Sequence, residues 1–125
     1  MKNYLVNAEK KTPEIALLTT GDLMIIGNSR PEDAKHFYKP VFEWIEEFQK
    51  LNPPKINLTL DLDYINSVSI RIILNLLETL KGVVKDKKDF KVIWKYDAND
   101  SDMMDQGKIL EKTLDHTFEF IEKPA

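Results

Sequence analysis

Residues 55–85 read KINLTLDLDYINSVSIRIILNLLETLKGVVK, and the spacing of the apolar residues changes within this stretch. Apolar and polar residues alternate over 56–63, which is the pattern of a β-strand with one buried face. From Ile70 onward the apolar residues recur at spacings of three and four, which is typical of a helix with a broad apolar face. We therefore predict that a strand ends and a helix begins near Asn66. Ser67 is the expected N-cap, because its hydroxyl oxygen can accept a hydrogen bond from a free first-turn amide.

Strand and helix patterns alternate on both sides of this unit. Pro40 disfavours helical geometry at Lys39, so the first helical region is expected either to be kinked or to form two helices, the longer one starting at Pro40. The acidic segment near the end of the chain predicts a further helix, capped by Ser101. The predicted strands outside the central unit cover residues 4–6, 14–18, 23–27, 90–96 and 117–121, and the last predicted helix covers 102–114.

This order of elements predicts the fold class. Strands that alternate with helices favour a largely parallel centre, and right-handed crossovers in one direction place their helices on one face. A strand covered on both faces would be continuously apolar, whereas residues 56–63 alternate. We expect an α/β fold, a single domain over residues 1–125 with a mixed β-sheet and helices mainly on one face. The side chains expected to be buried are Leu60, Leu62, Ile73, Leu77, Trp94 and Phe120, and Asn57 and Thr59 are expected to be much more exposed.

Composition excludes several classes of protein. The chain has 125 residues, 42% of them apolar, which suits one domain with its own core. It contains no cysteine, which excludes disulfides, thiolate metal sites and cysteine nucleophiles. The net charge is −3 and the basic residues are scattered, so we expect no nucleic-acid partner. No apolar run has the length of a membrane span, so we expect no membrane partner and a cytoplasmic location.

No pattern in the sequence indicates an enzyme. His36 and His116 are far apart and have no accompanying serine or carboxylate that would form a triad. The four glycines are scattered and form no phosphate-binding loop. We expect no catalytic residues, no cofactor and no metal, and we interpret both histidines as structural.

Ser67 has two interpretations. In the first it only caps the helix. In the second it is a phosphoacceptor, because a phosphate at a helix N-terminus is stabilised by the free amides and by the helix dipole. Such a phosphate would add nearly two negative charges beside Asp61 and Asp63, and would change a binding surface without refolding the domain.

The acidic segment Asp97, Asp100, Asp102 and Asp105 is the second candidate site. It fails as a calcium loop, because the sixth position from Asp97 is an aspartate instead of glycine and the twelfth is Lys108 instead of glutamate. The acids either decorate a helix start or form a docking patch for a basic partner. In the second case Met103 and Met104 would add adaptable apolar contacts.

Several short motifs, taken in order, resemble one known family. The whole chain is similar to the SiaC family of regulatory phosphoproteins, which are related in fold to STAS-domain anti-sigma factor antagonists. The resemblance depends on the order and spacing of the motifs across nearly the full chain. The motifs are TPEI at 12–15, GNSRPED at 27–33, FYKPVFEW at 37–44, LDYINS at 62–67, WKY at 94–96, Asp102-Met103 with Gly107, and FEFI at 118–121.

The resemblance implies a STAS-like fold and a non-enzymatic role in partner switching. Members are phosphorylated on a hydroxyl by a serine/threonine kinase and dephosphorylated by a PP2C-type phosphatase. The unphosphorylated form binds an effector, a diguanylate cyclase or a similar protein, which implies a role in cyclic di-GMP signalling and biofilm regulation. The family's phosphoacceptor follows an asparagine and corresponds to Ser67, and Ser69 offers an alternative hydroxyl.

Three functions remain open on the sequence. We prefer a phosphorylation-switched binding module. The alternatives are a constitutive adaptor of the same fold that lacks the switch, and a domain that binds a small molecule or a metal through the acidic loop. The residues predicted to bind a partner are Asp61, Asp63, Tyr64, Asn66, Ser69, Arg71, Asp100, Asp102 and Met103.

Overall fold

The computed structural model describes residues 1–124. This part of the chain forms six strands, three α-helices and a short 3-10 turn at Lys87–Asp89. None of its helices is long and apolar enough to cross a membrane. The elements are β1 Tyr4–Val6, β2 Glu14–Leu17, β3 Asp22–Ser29, α1 Ala34–Gln49, β4 Ile56–Ile65, α2 Ser67–Lys81, β5 Phe90–Asp97, α3 Ser101–Leu114 and β6 Phe118–Lys123.

All six strands form one sheet whose spatial order, β1-β2-β3-β4-β5-β6, is also the order along the chain. The two pairs at the β1 side are antiparallel, and the pairs from β3 to β6 are parallel. Each parallel crossover contains one helix, and all three run in the same direction, so the helices cover one face. The predicted mixed sheet with helices on one face is confirmed. The amino ends of all three helices consequently lie at the edge of the sheet where the parallel strands finish, which we call the carboxyl edge.

The core lies between the sheet and the helices. Five of the six side chains predicted to be buried, Leu60, Leu62, Ile73, Leu77 and Trp94, are at most 2% exposed. Phe120 is only half-buried, because it lies on β6 at the border of the sheet. Asn57 and Thr59 are half-buried on the uncovered face, as their alternation with leucine predicts.

Helix α1 is one helix from Ala34 to Gln49 with Pro40 inside it. Of the two predicted alternatives, that of two separate helices was therefore wrong. The residues after the proline include Val41, Trp44, Ile45 and Phe48, which are buried in the core, and this packing holds the helix together although Pro40 can donate no backbone hydrogen bond.

Strand β3 extends past the predicted end at residue 27. Gly27 has a φ of +119° and lies where the register between β3 and β4 shifts, so it forms an irregularity within the strand instead of ending it. Pairing then continues to Ser29 opposite Ile65. This extension brings β3 alongside the last residue of β4, directly before α2.

Two predicted helix caps are displaced by one residue. The N-cap of α2 is Asn66 and that of α3 is Asp100, whereas Ser67 and Ser101 are the first helical residues. The side-chain oxygen of Asn66 accepts from the Ser69 amide at 2.9 Å. Asparagine and aspartate rank at least as high as serine at this position, so the earlier residue takes it in both helices.

Candidate functional site

The start of α2 is built on the ends of β3 and β4. The backbone N–H of Asn66 donates to the carbonyl of Ser29 at 3.0 Å, which fixes the junction to β3. Below it, the Ser29 hydroxyl and the Tyr38 hydroxyl lie 2.6 Å apart, and both side chains are fully buried. Burial raises the pKa of Tyr38 to about 12, so this phenol stays protonated even above pH 10. The junction therefore has a rigid support in α1.

Ser67 is exposed in the first turn of α2. Because Asn66 supplies the cap, the Ser67 hydroxyl is not needed to close the helix. A group attached to its oxygen would lie beside the free amides of a helix N-terminus, where a negative charge is favoured. Ser67 thus has both the accessibility and the electrostatic setting that a phosphoacceptor needs.

Ser69 has the opposite environment. Its side chain is 0% exposed, and its hydroxyl has no hydrogen-bond partner. A kinase or a protein partner cannot reach it without opening the first turn of α2. The structure therefore contradicts Ser69 both as the alternative phosphoacceptor and as a partner contact.

Apolar and cationic side chains surround Ser67 on the surface. Tyr64 and Val68 are both 52% exposed, which is high for large apolar side chains. The guanidinium of Arg30 lies 5.9 Å from the centre of the Tyr64 ring, within the range of a cation–π contact. Arg71 is exposed and follows Ser67 by four residues, which places both on one side of α2. Of the predicted partner contacts, Tyr64 and Arg71 thus lie at the surface around Ser67.

The acids of the uncovered face are held by a lysine that the sequence analysis did not identify. The ammonium of Lys123 lies 2.5 Å from Asp61, 3.7 Å from Asp63 and 3.8 Å from Asp97. The hydrogen bond to Asp61, together with the charges of the three acids, raises the pKa of Lys123 against a smaller opposing effect of burial. Strand β6 continues to Lys123 instead of ending at residue 121, and it pairs Lys123 with Asp97. The alternation of residues 119, 121 and 123 could have indicated that this lysine faces the same side as Asp61.

Lys123 changes the electrostatics that the sequence predicted. Asp61 is largely covered and bonded to a cation, whereas Asp63 keeps 61% of its side chain exposed. The surface that carries Asp61 and Asp63 is therefore less negative than two free aspartates would make it.

The acidic segment does not form a single patch. The carboxylate of Asp100 accepts from the Met103 amide at 3.0 Å and caps α3, while Asp97 faces Lys123 and Asp102 is exposed. Met103 is only 5% exposed and its carbonyl accepts from the Trp94 indole N–H at 3.0 Å, so the prediction that it contacts a partner was wrong. Among residues 1–124, no three acidic or histidine side chains are placed so that they could hold a metal ion.

Comparison with known proteins gives one sequence relative and several solved structures of the same fold. A region of 77 residues, 62% of this chain, is 29% identical to the uncharacterized protein PA14_02130 of Pseudomonas aeruginosa (strain UCBPP-PA14), and the match spans 61% of that relative's length. The crystal structure of apo-SiaC from Pseudomonas aeruginosa superposes with a TM-score of 0.84 at 23% identity, covering 98% of this chain and 99% of SiaC. SiaC in complex with the diguanylate cyclase SiaD, whose activator it is, superposes with a TM-score of 0.83 at 23% identity, covering 98% and 99%.

The structural likenesses show the shared fold. The family model described as SiaC family regulatory phosphoprotein matches residues 6–123. This match includes strands β2 to β6 and all three helices in full, together with the junction that carries Ser67, and it begins at the last residue of β1. The chain therefore belongs to the SiaC family of regulatory phosphoproteins.

Proposed function

We propose that this protein is a phosphorylation-switched regulator that binds and activates a diguanylate cyclase while Ser67 is unphosphorylated. It has no catalytic activity of its own and acts in the cytoplasm as part of a cyclic di-GMP signalling module. The observation that carries this proposal is the exposure of Ser67 at the first turn of α2, beside a surface on which Tyr64 and Val68 are 52% exposed. A partner can pack on this surface only while it carries no phosphate.

The switch has a simple electrostatic basis. Phosphorylation would add almost two negative charges and three acceptor oxygens at Ser67. The free amides of α2 and the nearby cation of Arg71 favour the phosphate in the free protein. A partner that covered Tyr64 and Val68 would also have to desolvate the phosphate, which is costly without a matching cation on its own surface.

The other members of the module follow from the family. A serine/threonine kinase would add the phosphate and a PP2C-type phosphatase would remove it. The choice of a diguanylate cyclase as effector is supported by the solved complex of the related SiaC with SiaD. Besides Tyr64 and Arg71, the remaining predicted contacts with these partners are Asp61, Asp63, Asn66, Asp100 and Asp102.

Substitution of Ser67 tests the proposal directly. Ser67→Asp should weaken binding of the diguanylate cyclase from the same organism by about tenfold or more, because a buried unpaired charge is costly. Ser67→Ala should bind like the wild type and should lose phosphorylation by the host kinase. Ser101→Asp is the matched control, since Ser101 is also an exposed serine that follows an Asn or Asp cap.

Binding would be measured by calorimetry, and folding of each variant by circular dichroism. Mass spectrometry of the protein from its native host would locate any phosphate. If Ser67→Asp binds the cyclase as tightly as the wild type, and no phosphate is found at Ser67, the protein is a constitutive adaptor and the proposed switch is wrong.

A further inference from the structure

A groove runs between the first halves of α1 and α2. Its volume is about 530 Å3. It opens at the carboxyl edge, because both helices begin there and run side by side in the same direction. We call its half-buried apolar residues, Phe42 and Ile72, the floor, and its exposed residues at the start of α1, Asp33, Lys35, His36 and Lys39, the rim. Tyr38 and Asn75 complete the lining.

The floor of the groove is apolar and continues toward Ser67. Phe42 and Ile72 are half-buried and pack against the core with one side only. Val68 precedes Ile72 by four residues, so it lies on the same side of α2, about 6 Å nearer the helix start. An apolar strip therefore leads from the groove to the residue next to Ser67.

The rim of the groove is cationic, although the whole chain has a net charge of −3. Lys35 and Lys39 lie one turn apart on α1, and neither forms an ion pair within residues 1–124. Arg71 stands exposed on α2 beside Ile72. The carboxylate of Asp33, the acid in the lining, accepts from the His36 amide as the cap of α1. The groove thus offers unpaired cations to an incoming anionic group.

We propose that this groove receives an acidic amphipathic helix of a protein partner. Two parallel helices leave a straight trough that fits a third helix, whose apolar ridge would lie on Phe42 and Ile72. Its acidic side chains would face Lys35 and Lys39. This inference rests on the proposed function, because Ser67 precedes Ile72 by five residues, about 7.5 Å of helix, and a phosphate there would repel the partner's carboxylates.

Two designed peptides test the groove without any natural partner. Both carry leucines on one helical face; one has glutamates on its flanks and the other has lysines at the same positions. Each would be titrated into the isotope-labelled full chain and followed by NMR. The acidic peptide should shift the amide signals of residues 35–42 and 68–75 in a saturable manner, and the basic peptide should not.

Charge reversal tests the recognition. The double variant Lys35→Glu and Lys39→Glu should weaken the acidic peptide roughly tenfold or more, because each lysine faces a carboxylate. Lys87→Glu with Lys88→Glu is the matched control, since it makes the same charge change near the other edge of the sheet and should alter binding by less than about twofold. Ser67→Asp should also weaken the acidic peptide, and Ser67→Ala should not.

Several results would overturn the inference. In the titration, these are equal amide shifts with both peptides, the absence of a saturable shift, or amide shifts on the uncovered sheet face. The others are an equal loss of peptide affinity in the Lys87 and Lys88 control variant, and NMR signals that show self-association of the protein before any peptide is added. Its failure is separable from that of the proposed function. If Ser67→Asp abolishes binding of the cyclase but the lysine variants do not, the proposed switch is supported and the groove is not. If the lysine variants weaken binding of the acidic peptide but Ser67→Asp does not affect binding of the cyclase, the groove is supported and the switch is not.

Discussion

Helices α2 and α3 begin with the same arrangement but with different charges. In each, an Asn or Asp cap bonds to the amide three residues later, the next residue is an exposed serine, and the third helical residue is buried. In α2 the cap is neutral and the second position holds the exposed Val68. In α3 the cap is a carboxylate and the second position holds the exposed Asp102.

The charge of the cap residue decides whether the start of the helix favours a further negative group. The Asp100 carboxylate already satisfies the positive end of the α3 dipole, so a phosphate on Ser101 would meet a like charge. The neutral amide of Asn66 leaves the positive end of α2 available. Local hydrogen bonding alone does not distinguish the two serines, whereas the charge of the cap favours Ser67 over Ser101 as the site of the proposed phosphorylation.

The third helical residue of each helix gives the largest expected contrast. Met103→Ala should lower the free energy of unfolding by roughly 2 to 5 kcal/mol, because it empties a core position. Ser69→Ala should change it by less than about 0.5 kcal/mol or raise it by up to about 1 kcal/mol, because it removes a buried hydroxyl without a partner. Urea unfolding of both variants measures this. If both variants lost the same free energy of unfolding, the Ser69 hydroxyl would have to form a hydrogen bond in the folded protein.

The anchor below α2 predicts a loss of stability at high pH. The pKa of Tyr38 is raised from 10.0 to about 12 in the folded protein, so the native state keeps a proton that the unfolded state releases in this window. The contribution of Tyr38 to the free energy of unfolding is complete below pH 10 and should fall by roughly 2 kcal/mol as the pH rises toward 12. The double variant Tyr38→Phe with Ser29→Ala should show a flatter decline in urea unfolding between these pH values.

Tyr64→Phe is the matched control, since it removes an exposed phenol next to the same junction. An alkaline decline that is unchanged in the double variant, or equally flattened in the control, would show that the buried pair does not cause it.

Exchanging the caps tests whether charge is the relevant difference. Asn66→Ala and Asp100→Ala should each cost about 1 kcal/mol, the usual value for a lost cap. Asn66→Asp should gain about 0.3 to 1 kcal/mol at low salt, Asp100→Asn should lose a similar amount, and both effects should shrink in high salt. Thermal unfolding at two salt concentrations measures these changes. If Asn66→Asp brings no gain at low salt, the proposed contrast in charge is wrong.

The two exposed serines should contribute least to the stability of the fold. Ser67→Ala and Ser101→Ala should each change the free energy of unfolding by less than about 0.5 kcal/mol, because neither is the cap. If Ser67 were the cap, its replacement by alanine would lower the free energy of unfolding by more than this. A loss near 1 kcal/mol in Ser67→Ala alone would show that its hydroxyl shares the capping role, and chemical denaturation resolves that difference.

The fold was predictable because its central unit is local. The change of spacing in residues 55–85 corresponds to β4 and α2, and the junction lies at Asn66 as predicted, although the cap is Asn66 instead of Ser67. The caps were displaced because two adjacent residues, such as Asn66 and Ser67, can both reach first-turn amides, and only the backbone angles decide between them. Such choices depend on where the preceding strand stops.

Other features of the site depended on contacts that the sequence does not show directly. Met103 could have been recognised as buried, since Met103, Gly107, Leu110 and Leu114 follow helical spacing and all are buried. Gly107 supports this, because a Cβ there would come within 2.6 Å of the Trp94 indole. Strand alternation could place Lys123 on the same face as Asp61, but its ion pairs with Asp61 and Asp97 depend on the order of β4, β5 and β6 in the sheet. The burial of the Ser69 hydroxyl depends on how α2 packs in the folded protein, which the sequence does not show directly.

The strand order has a consequence for synthesis on the ribosome. Every strand pairs with the strand that precedes it in the chain, so each emerging strand meets a partner that has already been synthesised. The ion pair between Lys123 and Asp61 is an exception, since it joins residues 62 positions apart. Until the sixth strand emerges, Asp61, Asp63 and Asp97 lack their cation. A nascent chain can therefore complete most of its sheet while these three carboxylates still lack their cation, and the charge of the uncovered face is balanced last.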